Sequence, residues 1–244
     1  MLQRDLTGAG ILLAYYLLVV VSLPLALKLW TKTPREIVRK LHHIAYSLSI
    51  YPLLTLFSSW YIAIAAASSL VIIGYPVLLL LEKTSWYQRG FIQRVGQKGE
   101  LRRQLLWVQG SFALLIMLFW GLLGVRWQYI VAVSVTAWGF GDAAAALVGK
   151  AIGRRIVLPK LLKEPKTYEG TAAMASVSAV ALFLTLLLYA GQPWHTSLLI
   201  SLLVAPVCAL VELFSRWGLD TLTVPLSTAL AILPLTLLFR VVGW

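Results

Sequence analysis

Long apolar runs dominate the chain, and short polar segments rich in basic residues separate them. A helix that crosses a bilayer needs about 20 predominantly apolar residues. Eight runs reach or approach that length and are predicted to be membrane-spanning helices: 8–29, 43–58, 60–81, 105–123, 127–148, 171–190, 196–214 and 222–242. The run 43–58 is short, and only Ser59 separates it from the next one. The number of spans is therefore about eight, or seven if this run does not cross.

The composition supports this interpretation. Of the 244 residues, 60% are hydrophobic and only 12% are charged, whereas a soluble domain carries about 25% charged residues. An all-α, polytopic membrane helix bundle is predicted, with a single integral membrane domain over 1–244. The first apolar run is too long for the hydrophobic core of a signal peptide, so we expect it to be retained.

The basic residues decide between seven and eight spans. They concentrate in the loops 28–42, 82–104 and 149–167, and the remaining ones are Arg4, Arg126, Arg216 and Arg240. Eight spans with an outside N-terminus place all three loops in the cytoplasm, as the positive-inside rule requires, whereas seven would put them on opposite sides. Eight spans are therefore predicted. The net charge of +12 suits membrane headgroups and nucleotides, and no nucleic-acid partner is expected.

One acidic residue falls inside a predicted span. The segment WGFGDAAAALVGKAIGRR carries Asp142 amid small residues, and an ionisable group within a membrane helix is a functional candidate by default. Packing is the alternative, because Gly141, Ala145, Gly149 and Gly153 recur every four residues and would let a second helix approach closely. The same stripe would admit a phosphate or a metal ion, or would permit a helix-mediated homodimer.

A second polar segment, PREIVRKLHHIAYSL, precedes and enters the second predicted span. Glu36, Arg39, Lys40 and His43 follow helical spacing and share one face at the membrane edge. A solvated basic face with a Glu36–Lys40 pair is one interpretation, and a histidine buried in the core is another. Binding of phosphate by the two cations is the functional alternative.

A third segment, LKEPKTYEGTAAMA, leads from a basic loop into the sixth span. Lys166, Glu169, Gly170 and Thr171 lie where that helix begins. Helix N-termini bind phosphates well, because their free N–H groups and the helix dipole face the anion. Glu169 taken alone could instead be a simple partner of that dipole.

The acidic residues are few, and all except Asp5 collect on the predicted cytoplasmic side. Glu212 ends the seventh span and Asp220 precedes the eighth. Carboxylates and cations at one membrane face suit a magnesium-bound nucleotide, since the acids hold the metal and the bases hold the phosphates. An ion-coupled secondary transporter is the non-enzyme alternative, because an intramembrane Asp can relay ions. Transporters commonly show internal repeats, and none is obvious here.

Read in order, five segments resemble the family of phytol kinases, dolichol kinases and CTP-dependent diacylglycerol kinases, which are related to phosphatidate cytidylyltransferases. They are Arg39-Lys40 with His42-His43, KGELRRQ at 98–104, the Asp142 segment, KTYEGTAAM, and VELFSRWGLDTLTVPL at 211–226. Thr221 departs from the asparagine expected after Asp220.

The resemblance implies transfer of the γ-phosphoryl group of CTP to a lipid alcohol, with phytol or another isoprenoid alcohol as the leading substrate. Diacylglycerol kinase and phosphatidate cytidylyltransferase activities are the alternatives. The active site would face the cytoplasm of a bacterial inner or thylakoid-type membrane.

The residues are assigned to roles as a hypothesis. Asp142 and Glu169 would bind Mg²⁺, with Glu212 or Asp220 as further ligands. His43 would be the general base, with Asp142 as its rival. The groups expected to contact the nucleotide are Lys166, Arg39, Lys40, Gly141, Gly149, Gly153, Gly170 and Thr171.

Overall fold

The architecture is all-α, as predicted. The structure is a computed structural model that describes residues 1–84, 99–157, 166–215 and 218–241. Seven of its helices are long and apolar enough to cross a membrane, which confirms the polytopic class. Several charged residues of the predicted segments between spans lie outside the described residues: Arg89, Arg94, Lys98, Lys160, Lys163, Glu164 and Arg216.

The chain divides into two compact units, 1–122 and 123–244. The helices of the first unit are α1 (Leu2–Trp30), α2 (Arg35–Leu48), α3 (Ile50–Thr55), α4 (Trp60–Leu81) and α5 (Glu100–Leu122). Helix α1 is π-helical over Tyr16–Ser22, and α5 is π-helical from Ile116 onward. The single domain predicted over 1–244 stays a prediction.

Each helix of the second unit is long enough to cross a membrane by itself. These helices are α6 (Val125–Ile152), α7 (Tyr168–Tyr189), α8 (Trp194–Phe214) and α9 (Asp220–Val241). The last residues of α7, Thr185–Tyr189, are π-helical. Helix α6 is the most buried, and its hydroxyl groups bond within the helix: Ser134 donates to Ile130 O and Thr136 to Ala132 O, both at 2.7 Å. Such bonds satisfy polar groups where water is excluded.

The predicted span 43–58 is a broken helix. Helix α2 ends at Leu48 and α3 starts at Ile50, so neither is long enough to cross alone. Pro52 explains the break, because it has no N–H for the carbonyl of Leu48 and its ring clashes with that carbonyl. The Ser49 hydroxyl instead donates to Tyr46 O at 2.7 Å.

The broken helix nevertheless runs the length of α1. At one end, Arg4 Nη2 donates to Thr55 O at 2.9 Å and the backbone N–H of Ser58 donates to Asp5 Oδ1 at 2.7 Å. Halfway along, Tyr15 donates its hydroxyl to Ala45 O at 2.6 Å. Because α1 is long and apolar enough to cross a membrane, the antiparallel α2–α3 pair covers a similar length, and the eighth crossing stays a prediction.

Candidate active site

The polar ends of four helices meet in the second unit. Residues 155–157 and 166–168 pair as a short antiparallel bridge, with Val157 N donating to Lys166 O at 2.7 Å and Tyr168 N to Arg155 O at 3.1 Å. This pairing joins the end of α6 to the beginning of α7. The region also contains the end of α8, which Lys166 contacts, and the beginning of α9, where Thr223 bonds Ser215 at 2.7 Å.

The small-residue stripe of α6 packs against α7. A Cβ atom on Gly141 would collide with Ser178 Oγ and would lie 2.6 Å from Met174 Sδ. Farther along, Gly149 lies against Gly170, and a Cβ on Gly170 would come within 2.8 Å of Ala145 O. These are the contacts of close helix packing, so the packing alternative describes the stripe. A role of these glycines in nucleotide binding stays a prediction.

Thr167 is a contributor that the sequence analysis missed. Its side-chain oxygen accepts a hydrogen bond from Gly170 N at 3.1 Å and so caps the first turn of α7. A Cβ on Gly153 would also come within 2.8 Å of Thr167 Oγ1. The available signal was a threonine two residues before an acid at a predicted helix start, which is a common N-cap arrangement. Thr167 therefore fixes the position of Glu169 and Gly170.

Glu169 lies in the first turn of α7, with its carboxylate facing the backbone amides of Arg154 and Arg155. One carboxylate oxygen, Oε2, is buried and has no hydrogen-bond partner within the described part of the chain. A buried carboxylate oxygen without a partner is costly. A cation or a protonated group would satisfy it, so Glu169 has the chemistry of a metal ligand.

Asp142 is buried, at 9% exposure, inside α6. The helix continues to Ile152, four residues beyond the predicted end at 148, so Asp142 lies nearly three turns from its end. From the register of Gly149 with Gly170 and of Gly141 with Met174, Asp142 is about 10 Å deeper than Glu169 at 1.5 Å per residue. Side chains lean toward their own helix N-terminus, so in antiparallel helices these two carboxylates lean apart.

Lys166 and Glu212 form an ion pair. Lys166 Nζ lies 2.8 Å from Glu212 Oε1, and it also donates to the backbone carbonyl of Glu212 and, at 3.5 Å, to that of Ser215. Cations near the last carbonyls of a helix are stabilising. Lys166 therefore caps the C-terminal end of α8, a role that its position in the sequence did not indicate.

The four predicted metal ligands do not assemble into one cage. Within the described residues, no group of three or more His, Cys, Asp or Glu side chains could hold a metal ion. Asp142 and Glu169 lie at different depths, Glu212 is paired with Lys166, and Asp220 begins α9. Magnesium at nucleotide sites commonly uses only one or two carboxylates together with substrate phosphates. Glu169 fits that simpler arrangement.

The other predicted residues belong to the first unit. Arg39 pairs with Glu36 three residues earlier, Lys40 is buried at 4% exposure, and His43 is buried at 5%. His43 Nδ1 lies 3.4 Å from Gln104 Nε2, so Gln104 is a neighbour that the sequence analysis missed. These residues therefore do not form the solvated basic face that was one interpretation of the sequence. That they join the second unit's residues in one pocket stays a prediction.

Together, the apolar spans and the charged helix ends define a polytopic membrane protein with a candidate anion and cation site at one end of its second unit. A phytol kinase from Synechocystis sp. is 30% identical to the chain over 234 residues, covering 90% of this chain and 88% of the relative. The chain therefore belongs to the phytol kinase family, and the resemblance is confirmed. No family model matches the chain. No solved structure matches it either.

Proposed function

We propose that this protein is a membrane kinase that transfers the γ-phosphoryl group of a nucleoside triphosphate to the hydroxyl of a lipid alcohol. The relative supports the class of reaction, since its name is phytol kinase. The structural observation that carries the proposal is the Glu169 carboxylate. Its Oε2 is buried without a partner in the described part of the chain, at a helix N-terminus beside Arg154 and Arg155.

The chemistry requires little from the protein beyond position and charge. The alcohol oxygen forms a bond to the γ-phosphorus, the bond from that phosphorus to the bridging oxygen breaks, and a nucleoside diphosphate leaves. The hydroxyl proton passes to a base. His43 and Asp142 are the two candidates, and both are buried, where a base is shielded from bulk water.

We assign the remaining residues by their charge. Glu169 would contact Mg²⁺ that arrives with the nucleotide, and the ion would neutralise charge on the phosphates. Arg39, Lys40 and Lys166 would contribute positive charge to the phosphates, with Lys166 remaining anchored to α8 through Glu212. The choice of CTP as donor and of an isoprenoid alcohol such as phytol as acceptor rests on the family resemblance. A homodimer stays a prediction.

The predicted topology assigns the candidate site to the cytoplasmic side of the membrane. With α2–α3 counted as a crossing and the N-terminus outside, eight crossings would put the loops 28–42, 82–104 and 149–167 in the cytoplasm, where nucleotides are available. Single cysteines at Lys32 and Lys150 in a Cys208→Ser background should both react with a membrane-impermeant maleimide only in inside-out vesicles. If the two cysteines are labelled from opposite sides of the membrane, the two loops cannot both lie in the cytoplasm.

The function is tested by incubating purified protein with labelled CTP or ATP and each of phytol, geranylgeraniol, a polyprenol and diacylglycerol. We expect label in the phosphorylated lipid, most with CTP and an isoprenoid alcohol. A CDP-lipid formed from phosphatidate would mean a cytidylyltransferase instead. Ion-coupled uptake into vesicles without phosphorylation of any alcohol would mean a transporter.

A further inference from the structure

A buried hydrogen-bonded cluster occupies the interior of the first unit, away from the charged loop ends. Gln109 Nε2 donates to Tyr46 Oη at 2.9 Å and to Tyr16 Oη at 3.1 Å. Tyr16 Oη lies 2.7 Å from Ser49 Oγ. Gln109 is 2% exposed, Tyr46 5% and Tyr16 7%. Three helical segments, α1, α2–α3 and α5, thus contribute to one polar cluster, which we call the Gln109 cluster.

The donors and acceptors of the Gln109 cluster do not balance. The Ser49 hydroxyl donates to Tyr46 O at 2.7 Å, so Tyr16 must donate to Ser49. Both Gln109 amide hydrogens are used by the two tyrosines. Two groups are left over: the hydroxyl hydrogen of Tyr46 and the acceptor Gln109 Oε1, which is buried without a partner in the described part of the chain. One donor and one acceptor thus remain on neighbouring side chains.

Helix association alone does not account for this arrangement. Polar side chains hold membrane helices together when they satisfy one another, and the bonds from Gln109 to the tyrosines do this. The remaining amide oxygen would still be buried in an apolar region at a cost. A hydroxyl group matches the leftover pair, because one oxygen can accept from Tyr46 and donate to Gln109. An ether can only accept, and a hydrocarbon can do neither.

The cluster also lies in line with the charged end of α2. Lys40, His43, Tyr46 and Ser49 follow one another at intervals of three residues, so each lies about one turn from the next, and all four are buried. His43 contacts Gln104, one to two turns before Gln109 on the parallel helix α5. Gln109 lies about 14 Å into α5 from Glu100, at 1.5 Å per residue. A polar line therefore extends from the basic loop into the apolar interior.

The backbone near the cluster departs from regular geometry as well. The π-helical segment of α1 begins at Tyr16, and α2 ends one residue before Ser49. Irregular helix segments of this kind are frequent at functional sites.

We infer that Tyr46 and Gln109 bind the hydroxyl group of a long-chain alcohol within the membrane. Tyr46 donates to the alcohol oxygen and Gln109 Oε1 accepts from its hydrogen, one helical turn from His43. This inference rests on the proposed function, for which it specifies how the acceptor is recognised: by a hydroxyl on an apolar chain. Tyr46 and Gln109 are binding residues and take no proton.

The binding test uses the purified full-length protein and three probes of equal chain length: hexadecan-1-ol, hexadecyl methyl ether and hexadecane. The unfolding temperature is measured in detergent at matched mole fractions of each probe. We expect hexadecan-1-ol to raise it and the other two to leave it unchanged. Equal shifts with the alcohol and the ether would overturn the inference, because recognition would then not need the hydroxyl hydrogen.

Variants locate the binding. Gln109→Met and Tyr46→Phe should each weaken the response to hexadecan-1-ol at least tenfold in concentration. Tyr15→Phe is the matched control, since it also removes a tyrosine hydroxyl, but one that lies on α1 and is already paired with Ala45 O. Its response should stay at the wild-type value. An unchanged response in Tyr46→Phe would overturn the inference even if Gln109→Met failed to fold.

Kinetics separate this inference from the proposed function. If the protein is a kinase, the KM for the alcohol should rise at least tenfold in Tyr46→Phe while the KM for the nucleotide stays constant. An unchanged alcohol KM would refute the inference and leave the kinase intact. Specific alcohol binding without any phosphoryl transfer would refute the kinase and leave the inference intact.

Discussion

The two units of the chain handle polar groups in opposite ways. In the second unit, buried hydroxyl groups such as those of Ser134 and Thr136 bond to carbonyls of their own helix, and most charged residues collect at one end, around Lys166, Glu169 and Glu212. In the first unit, a broken helix and π-helical segments carry polar side chains inward as far as Tyr46 and Gln109. The second unit thus has the groups expected at headgroup depth for phosphates, and the first has groups suited to a hydroxyl on a lipid.

Asp142 is the exception in the second unit, because it is a carboxylate well inside α6. We expect Asp142→Asn to reduce turnover by about 10³-fold or more while the protein still folds in the membrane, since the change removes charge but keeps shape. Initial rates of labelled phosphate transfer measure this effect.

Asp5→Asn is the matched control for this substitution. Asp5 is also 9% exposed, and its carboxylate accepts hydrogen bonds from Ser58 N and Oγ at 2.7 and 2.8 Å. Its substitution should lower stability and spare turnover. If Asp142→Asn retains near-normal activity, Asp142 has a structural role, as Asp5 does.

Glu169 tests whether the charged end of the second unit handles magnesium. Glu169→Gln should reduce turnover by about 10²-fold and raise the magnesium concentration needed for half-maximal rate. Titration of Mg²⁺ at fixed nucleotide measures both quantities. Glu82→Gln is the control, because Glu82 pairs with Arg102 at 2.9 Å and has no proposed role. If Glu169→Gln needs the same magnesium concentration as the wild type, Glu169 does not bind the metal ion.

Much of the second unit could be predicted from the sequence, because each span needs a long apolar run and the charged residues mark where most of the spans end. The broken helix could not be placed as readily, although Pro52 was a signal for it. The contacts of Asp5 with Ser58 and of Lys166 with Glu212 join residues far apart in sequence, where no local pattern indicates the partner. The depth of Asp142 relative to Glu169 likewise depends on the register between α6 and α7, which spacing along one helix does not fix.

The glycines distinguish close packing from open helix faces. Gly141→Ala should destabilise the protein by about 1–3 kcal/mol, the usual effect of overpacking, because the added methyl group meets Ser178 and Met174. Gly110 on α5 has nothing within 4 Å of an added Cβ, so Gly110→Ala should be neutral or stabilising by up to about 1 kcal/mol. Unfolding midpoints in detergent compare the two. Equal effects would mean that α6 and α7 do not pack at Gly141.

The smallest expected effect concerns the loop end of the first unit. Arg102 Nε donates to both oxygens of Glu82 at 3.0 Å, and its guanidinium lies 5.4 Å from the centre of the Tyr75 ring. Arg102→Lys keeps the charge but loses the forked geometry, so we expect a loss of stability of about 1 kcal/mol or less and unchanged turnover. Salt should reduce the wild-type advantage, because the pair is only partly buried. A large loss of turnover in Arg102→Lys would instead make this end of the first unit part of the reaction, and the contrast between the two units would no longer hold.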